Sequence, residues 1–197
     1  MSLIKPKFKT VAWVTFVYLL IFGLYYLYQK NYEFVFYVGV VFFFFWVVLK
    51  SSHKIDYSPL AAWGLSVWAF LHMAGGGLQF GGGRLYDFMI FRINETYNIF
   101  RYDQFVHILG FFVATIVMWE ILKPHLSEKH GWVGVGIVVV MAGLGLGALN
   151  EILEFSATVV LPATGVGGYI NTSMDLVADI IGALLAWVVI VRREGKA

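Results

Sequence analysis

The chain contains no cysteine. That excludes disulfides, thiolate metal ligands and thiol nucleophiles together. Charge is scarce too. Asp, Glu, Lys and Arg make up 13% of the residues, about half the usual share of a soluble domain. The net charge is only +2, which gives no sign of nucleic-acid binding. No serine-nucleophile motif is evident, and no internal repeat stands out. The first apolar stretch is too long for a cleaved signal and lacks a small-residue cleavage site, so it reads as a first membrane span.

Apolar residues fill the space left by charge. They account for 60% of the chain, against about 45–50% in soluble proteins. A helix crosses the hydrocarbon with roughly 20 apolar residues. Six segments approach or reach that length: about 11–28, 33–49, 58–74, 102–122, 132–154 and 173–191. Long unalternating runs exclude strands, because in lipid only helices and closed barrels satisfy every backbone group. The expectation is one domain over 1–197, an all-α integral membrane bundle of six transmembrane helices. The aromatics FFFFW at 42–46 and YYLY at 25–28 read as lipid-facing surface and interface belt.

Lys and Arg set the expected orientation. With the N-terminus inside, the inner loops carry Lys5, Lys7, Lys9, Lys50, Lys54, Lys123, Lys129, Arg192, Arg193 and Lys196. The outer loops carry Lys30, Arg84, Arg92 and Arg101. Ten against four favours both termini on the cytoplasmic side of the membrane. Between the third and fourth spans, the triplets Gly75–Gly77 and Gly81–Gly83 read as flexible or tightly turning chain. The following LYDFMIFRINETYNIF mixes aromatics with Arg92, Asn94 and Glu95, which suits an outer interfacial helix at about 85–100. The apolar stretch 156–171 reads as a second cap on the outer face.

Six of the twelve acids lie on or at the ends of spans: Asp103, Glu120, Glu151, Glu154, Asp175 and Asp179. An ionisable group deep in a bilayer costs about 2.5–3.5 kcal/mol on insertion scales, so each points to function. The fourth span starts with Asp103 and His107, the fifth ends with Asn150, Glu151 and Glu154, and the sixth starts with Asp175 and Asp179. All share one depth, near the outer surface. Spacings of three or four residues put each pair on one helix face. His72, at the outer end of the third span, stands at the same level. Glu120 lies about 20 Å further along its helix, at the inner surface. Small residues continue these faces inward: Gly110 and Ala114, Gly143 and Gly147, Gly182 and Ala186. Such stripes let membrane helices approach closely.

Local explanations also exist. Thr172 with Asp175 fits a capping box, Asp103 suits a helix dipole, and Glu154 could simply end its span in water. Five carboxylates in one recess still need neutralising, since like charges raise each other's pKa. Protons, a metal ion, or Arg84, Arg92 and Arg101 could do it. Oxygen-rich ligands suit Mg²⁺, Mn²⁺ or Ca²⁺, and an imidazole among them suits Zn²⁺, Mn²⁺ or Fe.

The ordered set YDQFVH-x-x-G, NEILEF and NTSMDLVADIIGALLA is similar to the YjdF-like bacterial inner-membrane proteins and to the wider VanZ-like group. Asp103, His107, Glu151, Asp175, Asp179 and Gly182 occupy the matching positions. LHMAGGG with Tyr86 resembles the YjdF-like part and brings in His72. The resemblance covers about residues 60–190. Asp179 stands where VanZ-like sequences often have Asn. The resemblance implies a site, not a reaction.

The first functional expectation is a metal-dependent hydrolase or transferase at the outer leaflet, acting on a lipid or lipid-linked substrate. A divalent ion (Zn, Mn, Mg or Fe) would be held by His107, Glu151, Glu154, Asp175 and Asp179. Asp103, His107 and Asp179 would serve as acid–base or orienting groups. His72, Arg84, Tyr86, Arg92 and Arg101 would hold the substrate. A cation- or proton-coupled transporter is the second expectation, and a non-catalytic membrane subunit the third. A haem site would require His72 and His107 to face each other.

Overall fold

A computed structural model describes residues 5–94, 96, 97, 99–127 and 129–195. Glu95 and Lys196, named above, lie outside the described residues, as does Glu128. Six long helices account for most of it: α1 Lys9–Tyr28, α2 Tyr32–Ser51, α3 Pro59–Gly77, α4 Tyr102–Leu122, α5 Trp132–Val160 and α6 Tyr169–Glu194. Five of them, all but α3, are long and apolar enough to cross a membrane. The six expected spans thus reduce to five on this criterion. α3 is 19 residues long, but Trp63, Trp68, His72 and four glycines dilute its apolar character.

Local chemistry starts several helices. Asn31 caps α2, accepting from the Phe34 amide at 3.2 Å. Ser58 caps α3, accepting from the Ala61 amide at 3.1 Å, with Pro59 as the first helical residue. At α4 the Gln104 side chain reaches back to the Arg101 amide at 2.9 Å.

Polar contacts define two end layers. At one end, Lys7 bonds Asp56 at 2.5 Å, Glu120 accepts from the Ser58 amide at 3.2 Å, and Lys123 meets Glu194 at 2.6 Å. At the other end lie Glu33, His72, Asp103, Glu154 and the loop at Gly165. α3 runs between the same two layers as its neighbours. α4 packs most extensively on α6, and also on α5 and α3, while α2 packs on α1 and α3. Gly182 sits directly against the α4 backbone at Ile108 and Phe112, so the expected small-residue approach occurs there. Phe42, Phe43, Phe44 and Trp46 are exposed on the outside of α2, as a lipid-facing surface requires. Tyr26 departs from that pattern: it is fully buried, and its hydroxyl bonds the Met73 carbonyl.

Two expectations about the 75–100 connection are corrected. Gly75, Gly76 and Gly77 are the last turn of α3 rather than flexible chain. They form a floor on which the rings of Tyr86, Phe34 and Tyr26 lie, in space a Cβ would occupy. The second triplet does turn. Gly81 and Gly82, at φ +62° and +87°, join β1 Gln79–Phe80 to β2 Gly83–Arg84, the geometry of a tight hairpin. No interfacial helix forms among the described residues at 85–100. A short 3-10 turn at Leu85–Asp87 leads into a strap that folds back on itself. The Ile90 amide donates to the Phe100 carbonyl at 3.2 Å, and the Tyr102 amide to the Phe88 carbonyl at 2.8 Å. These cross-strap bonds consume the groups a helix would pair internally, and Phe100 at φ +76° is incompatible with one.

Candidate functional site: a carboxylate and histidine pocket

α4 supplies the centre. His107 is buried one turn after Asp103. Its Nδ1 lies 2.8 Å from Oδ1 of Asp179 on α6, and its Nε2 lies 3.9 Å from Oδ1 of Asp103. A carboxylate only accepts, so Nδ1 carries the proton of this bond and Nε2 is left as a lone pair in the neutral ring. An imidazole held this way by a carboxylate is the usual arrangement of a metal-binding histidine.

α6 starts at Tyr169, with Gly168 as its cap. Thr172 is therefore inside the helix, and the expected capping box with Asp175 does not form. Asp175 is buried and turned to α4 instead. Its Oδ1 accepts from Gln104 Nε2 at 2.9 Å. The Asn171 amide donates to Asp175 and, at 3.2 Å, to Asp103. Asp179 is fully buried, and its side chain lies against Gly147 of α5, where any Cβ would strike it.

α5 continues to Val160, so Glu154 does not end its span in water. Glu154 accepts from Asn150 Nδ2 at 3.0 Å. Glu151 is 8% exposed, and neither of its buried oxygens has a hydrogen-bond partner among the described residues. Thr172 and Asn150 stand near it without bonding geometry. Asp179 Oδ2 is buried and unpaired as well. Two sets of three ligand atoms each lie within 4.8 Å of one another: Asp103, His107 and Asp175; and His107, Glu151 and Glu154. His107 belongs to both.

The expected convergence of Asp103, His107, Glu151, Glu154, Asp175 and Asp179 is thus what the three helices produce. Their charge is not met by arginine. Arg84 and Arg101 both engage Asp87, at 3.3 and 3.4 Å. Arg92 is exposed on the strap, away from the pocket lining. Among the described residues, the ion pairs of these five acids involve only His107. Glu120 stands at the opposite end layer, on the Ser58 amide.

The roof comes from elsewhere. A cavity of about 40 Å³ is lined by Glu33, Tyr37, His72, Arg84, Asp103 and Glu154, among others. That is room for an ion or a few waters. The Gly165 peptide is clamped on both sides: its N–H donates to Glu33 Oε2 at 2.6 Å, and its carbonyl accepts from Arg84 at 3.0 Å. This pins the loop after α5 over the pocket, the cap expected from 156–171, although its first residues prolong α5. The Tyr86 hydroxyl contacts both Nδ1 and the carbonyl of His72. Burial, and then the charge of Asp103, push the Tyr86 phenol well above its ordinary pKa, so it stays protonated. His72 stacks on Trp68, with ring centres 5.5 Å apart.

Sequence reasoning passed over Glu33, Tyr37, Gln104 and Asn171. Gln104 next to Asp103, and Asn171 four residues before Asp175, carried a usable signal: an amide donor beside each acid. Glu33 carried none, because its partner lies 132 residues away.

A stretch of 106 residues is 30% identical to an uncharacterised protein of Thermotoga maritima, covering 52% of this chain and 54% of that one. The match therefore spans about half the length of that relative. No solved structure matches. The model of a family described as predicted membrane proteins matches residues 9–196. With its apolar helices packed into a multi-pass bundle, the chain belongs to this family, DUF2238.

Proposed function

We propose that the protein is a six-span membrane protein that holds a divalent metal ion in the His107 pocket and uses it on a lipid or lipid-linked substrate at the extracytoplasmic surface. The observation that carries this reading is Glu151. Its two buried oxygens lack partners while its ligand atom lies within 4.8 Å of those of His107 and Glu154. A buried carboxylate left unpaired is costly. Five acids around one imidazole, with the arginines engaged elsewhere, supply the charge that a cation neutralises.

His107, Glu151 and Glu154 would hold the ion, with Asp103 and Asp175 completing an oxygen-rich set. One nitrogen among oxygens suits Zn²⁺, Mn²⁺ or Fe over Ca²⁺. A bound ion supplies Lewis acidity toward an ester or phosphoryl oxygen, or an activated water. Asp179 orients His107, and Asp103 is placed to take a proton. α3 counts as the sixth span because it joins the same end layers as its neighbours. With the lysine-rich layer inside, both termini are cytoplasmic, in the inner membrane of a bacterium. The spacing shared with VanZ-like and YjdF-like proteins agrees with this use of Asp103, His107, Glu151 and Asp175.

The test is elemental analysis of protein purified in detergent without chelators. The expected result is one divalent ion per chain, lost in His107→Ala and Glu151→Gln. A metal-free parent that also fails to take up Zn²⁺ or Mn²⁺ in titration overturns the reading.

A further inference from the structure

A second cavity, of about 400 Å³, lies beside the polar pocket and differs from it in size and in its apolar lining. Its walls are Val41, Phe44 and Val48 of α2, Leu65 of α3, Ala114 of α4, and Leu149 of α5, with others like them. α6 contributes nothing to it. Phe44 and Leu149 are also exposed on the outside of the bundle. The cavity is therefore a groove between α2 and α5, open sideways to the membrane. It runs along α2 from Tyr37 to Ser52, about 22 Å at 1.5 Å per residue, longer than one leaflet's half of the roughly 30 Å hydrocarbon core.

The groove and the polar pocket share Tyr37 and His72. Tyr37 is 5% exposed, and its hydroxyl has no hydrogen-bond partner among the described residues. A phenol left unpaired at the junction of an apolar slot and an acidic pocket is a built-in donor for something that occupies both. Pockets for small molecules have this make-up: mostly apolar walls with a few placed polar groups.

We infer that the groove holds one hydrocarbon chain of a membrane lipid, with an oxygen of the lipid headgroup accepting from the Tyr37 hydroxyl at the mouth of the metal pocket. The inference names the lipid's binding mode for the proposed reaction, so it rests on that reading for its meaning but not for its test. The chain enters between α2 and α5 without leaving the bilayer. The headgroup then meets Arg84 and the carboxylate–histidine cluster. Thr15 and Ser66, which also line the groove, bond each other at 2.7 Å and so present no unpaired group to the chain.

The experiment uses the full chain, stripped of lipid in detergent, with phosphatidylglycerol carrying perdeuterated acyl chains as probe. Native mass spectrometry counts retained lipids, and elemental analysis counts metal on the same samples. The parent should retain one lipid per chain. Ala114→Phe and Leu146→Trp, which fill the groove from two sides, should retain at least tenfold less while keeping the parent's metal content. Leu146 is half-exposed, so its variant guards against a folding failure at Ala114. Tyr37→Phe should bind about tenfold more weakly, the loss of one good hydrogen bond. Equal retention by parent and both filled variants overturns the groove as the binding site. Undiminished binding by Tyr37→Phe overturns the headgroup contact. Lipid retained without metal leaves the groove standing and removes the metal reading.

Discussion

One place where two helices meet backbone to backbone also sets the site. Gly182 of α6 lies against the backbone of α4, where an added Cβ would strike the Ile108 carbonyl and come within 2.9 Å of the Phe112 amide. Neither group is a side chain that can rotate away. In Gly182→Ala the two helices must part by about 1 Å before the contact with the Ile108 carbonyl reaches the ordinary 3.4 Å. Overpacking of this kind costs about 1–3 kcal/mol. Alanine also removes a helical glycine, worth about 0.5–1 kcal/mol in the opposite direction. Gly145→Ala isolates that gain, because a Cβ at Gly145 meets nothing within 4 Å. The difference between the two variants is then steric, about 1–3 kcal/mol. At about 2–4 °C per kcal/mol for a chain of this size, Gly182→Ala should melt about 2–12 °C below Gly145→Ala. Thermal unfolding in detergent, followed by tryptophan fluorescence, reads it. Asp179 is one turn before Gly182, and His107 is next to Ile108. The 2.8 Å bond between them should therefore stretch past good hydrogen-bond length, and metal content should fall with stability. A Gly182→Ala protein that melts at or above Gly145→Ala refutes the close α4–α6 contact and the argument for the site with it.

The remaining predictions concern the site's supports and the far end. Asp179→Asn keeps the shape but removes the charge on His107 Nδ1, so metal affinity should drop about 10–100-fold in competition with a fluorescent chelator; unchanged affinity would deny Asp179 its orienting role. Glu33→Ala removes the acceptor for the Gly165 amide, and amide exchange in the loop 161–168 should quicken, while exchange in α4 stays as it was. Lys7, by its hydrogen bond and its charge, holds the Asp56 carboxyl below its ordinary pKa. A lowered native pKa gives stability that is present above the unfolded value near 4 and is lost as pH falls through the native one. Asp56→Asn should remove only that acid-side loss; Asp56 is exposed, so neutral-pH melting should barely move.

Much of this was written in the spacing of residues. α4 was legible to its ends, 102 and 122, because an amphipathic start, an apolar run and Lys123 mark it without help from other helices. The meeting of Asp103, His107, Glu151, Asp175 and Asp179 was legible for the same reason: helical period fixes the face, and span length fixes the depth. What failed depended on contacts distant in sequence. Gly75–Gly77 read as loose chain because nothing local announces the rings of Tyr86, Phe34 and Tyr26. The strap at 85–100 read as a helix because its composition is interfacial, but its amides pair across the strap. Thr172 looked like a cap because T-x-x-D is a common start signal, yet α6 begins three residues earlier, at Tyr169. Glu33 went unnoticed because its partner, the Gly165 amide, is far away in sequence.

The distribution of tight and loose packing bears on how such a site would work. α4, α5 and α6 carry all five acids and His107, and glycines bring them close at Gly143, Gly147 and Gly182. That half is stiff, which keeps ligand geometry fixed. α1, α2 and α3 carry most of the apolar wall, with Tyr37, His72 and Glu33. The two halves are joined through α3 and α4, by the Tyr102 hydroxyl on the Leu71 carbonyl at 3.1 Å, and by the clamp on Gly165. Between α2 and α5 there is no substantial contact, and the 400 Å³ groove lies in that seam. A membrane protein gains no hydrophobic driving force by closing such a gap, because lipid chains are as apolar as its walls. The seam can therefore stay open at little cost, and movement of α2 away from α5 would widen the groove without disturbing His107. Under the proposed function, a rigid cluster of acids beside a compliant lipid-facing slot would reconcile two demands that conflict in a uniformly packed bundle: exact placement of ligand atoms, and entry of a substrate that never leaves the membrane.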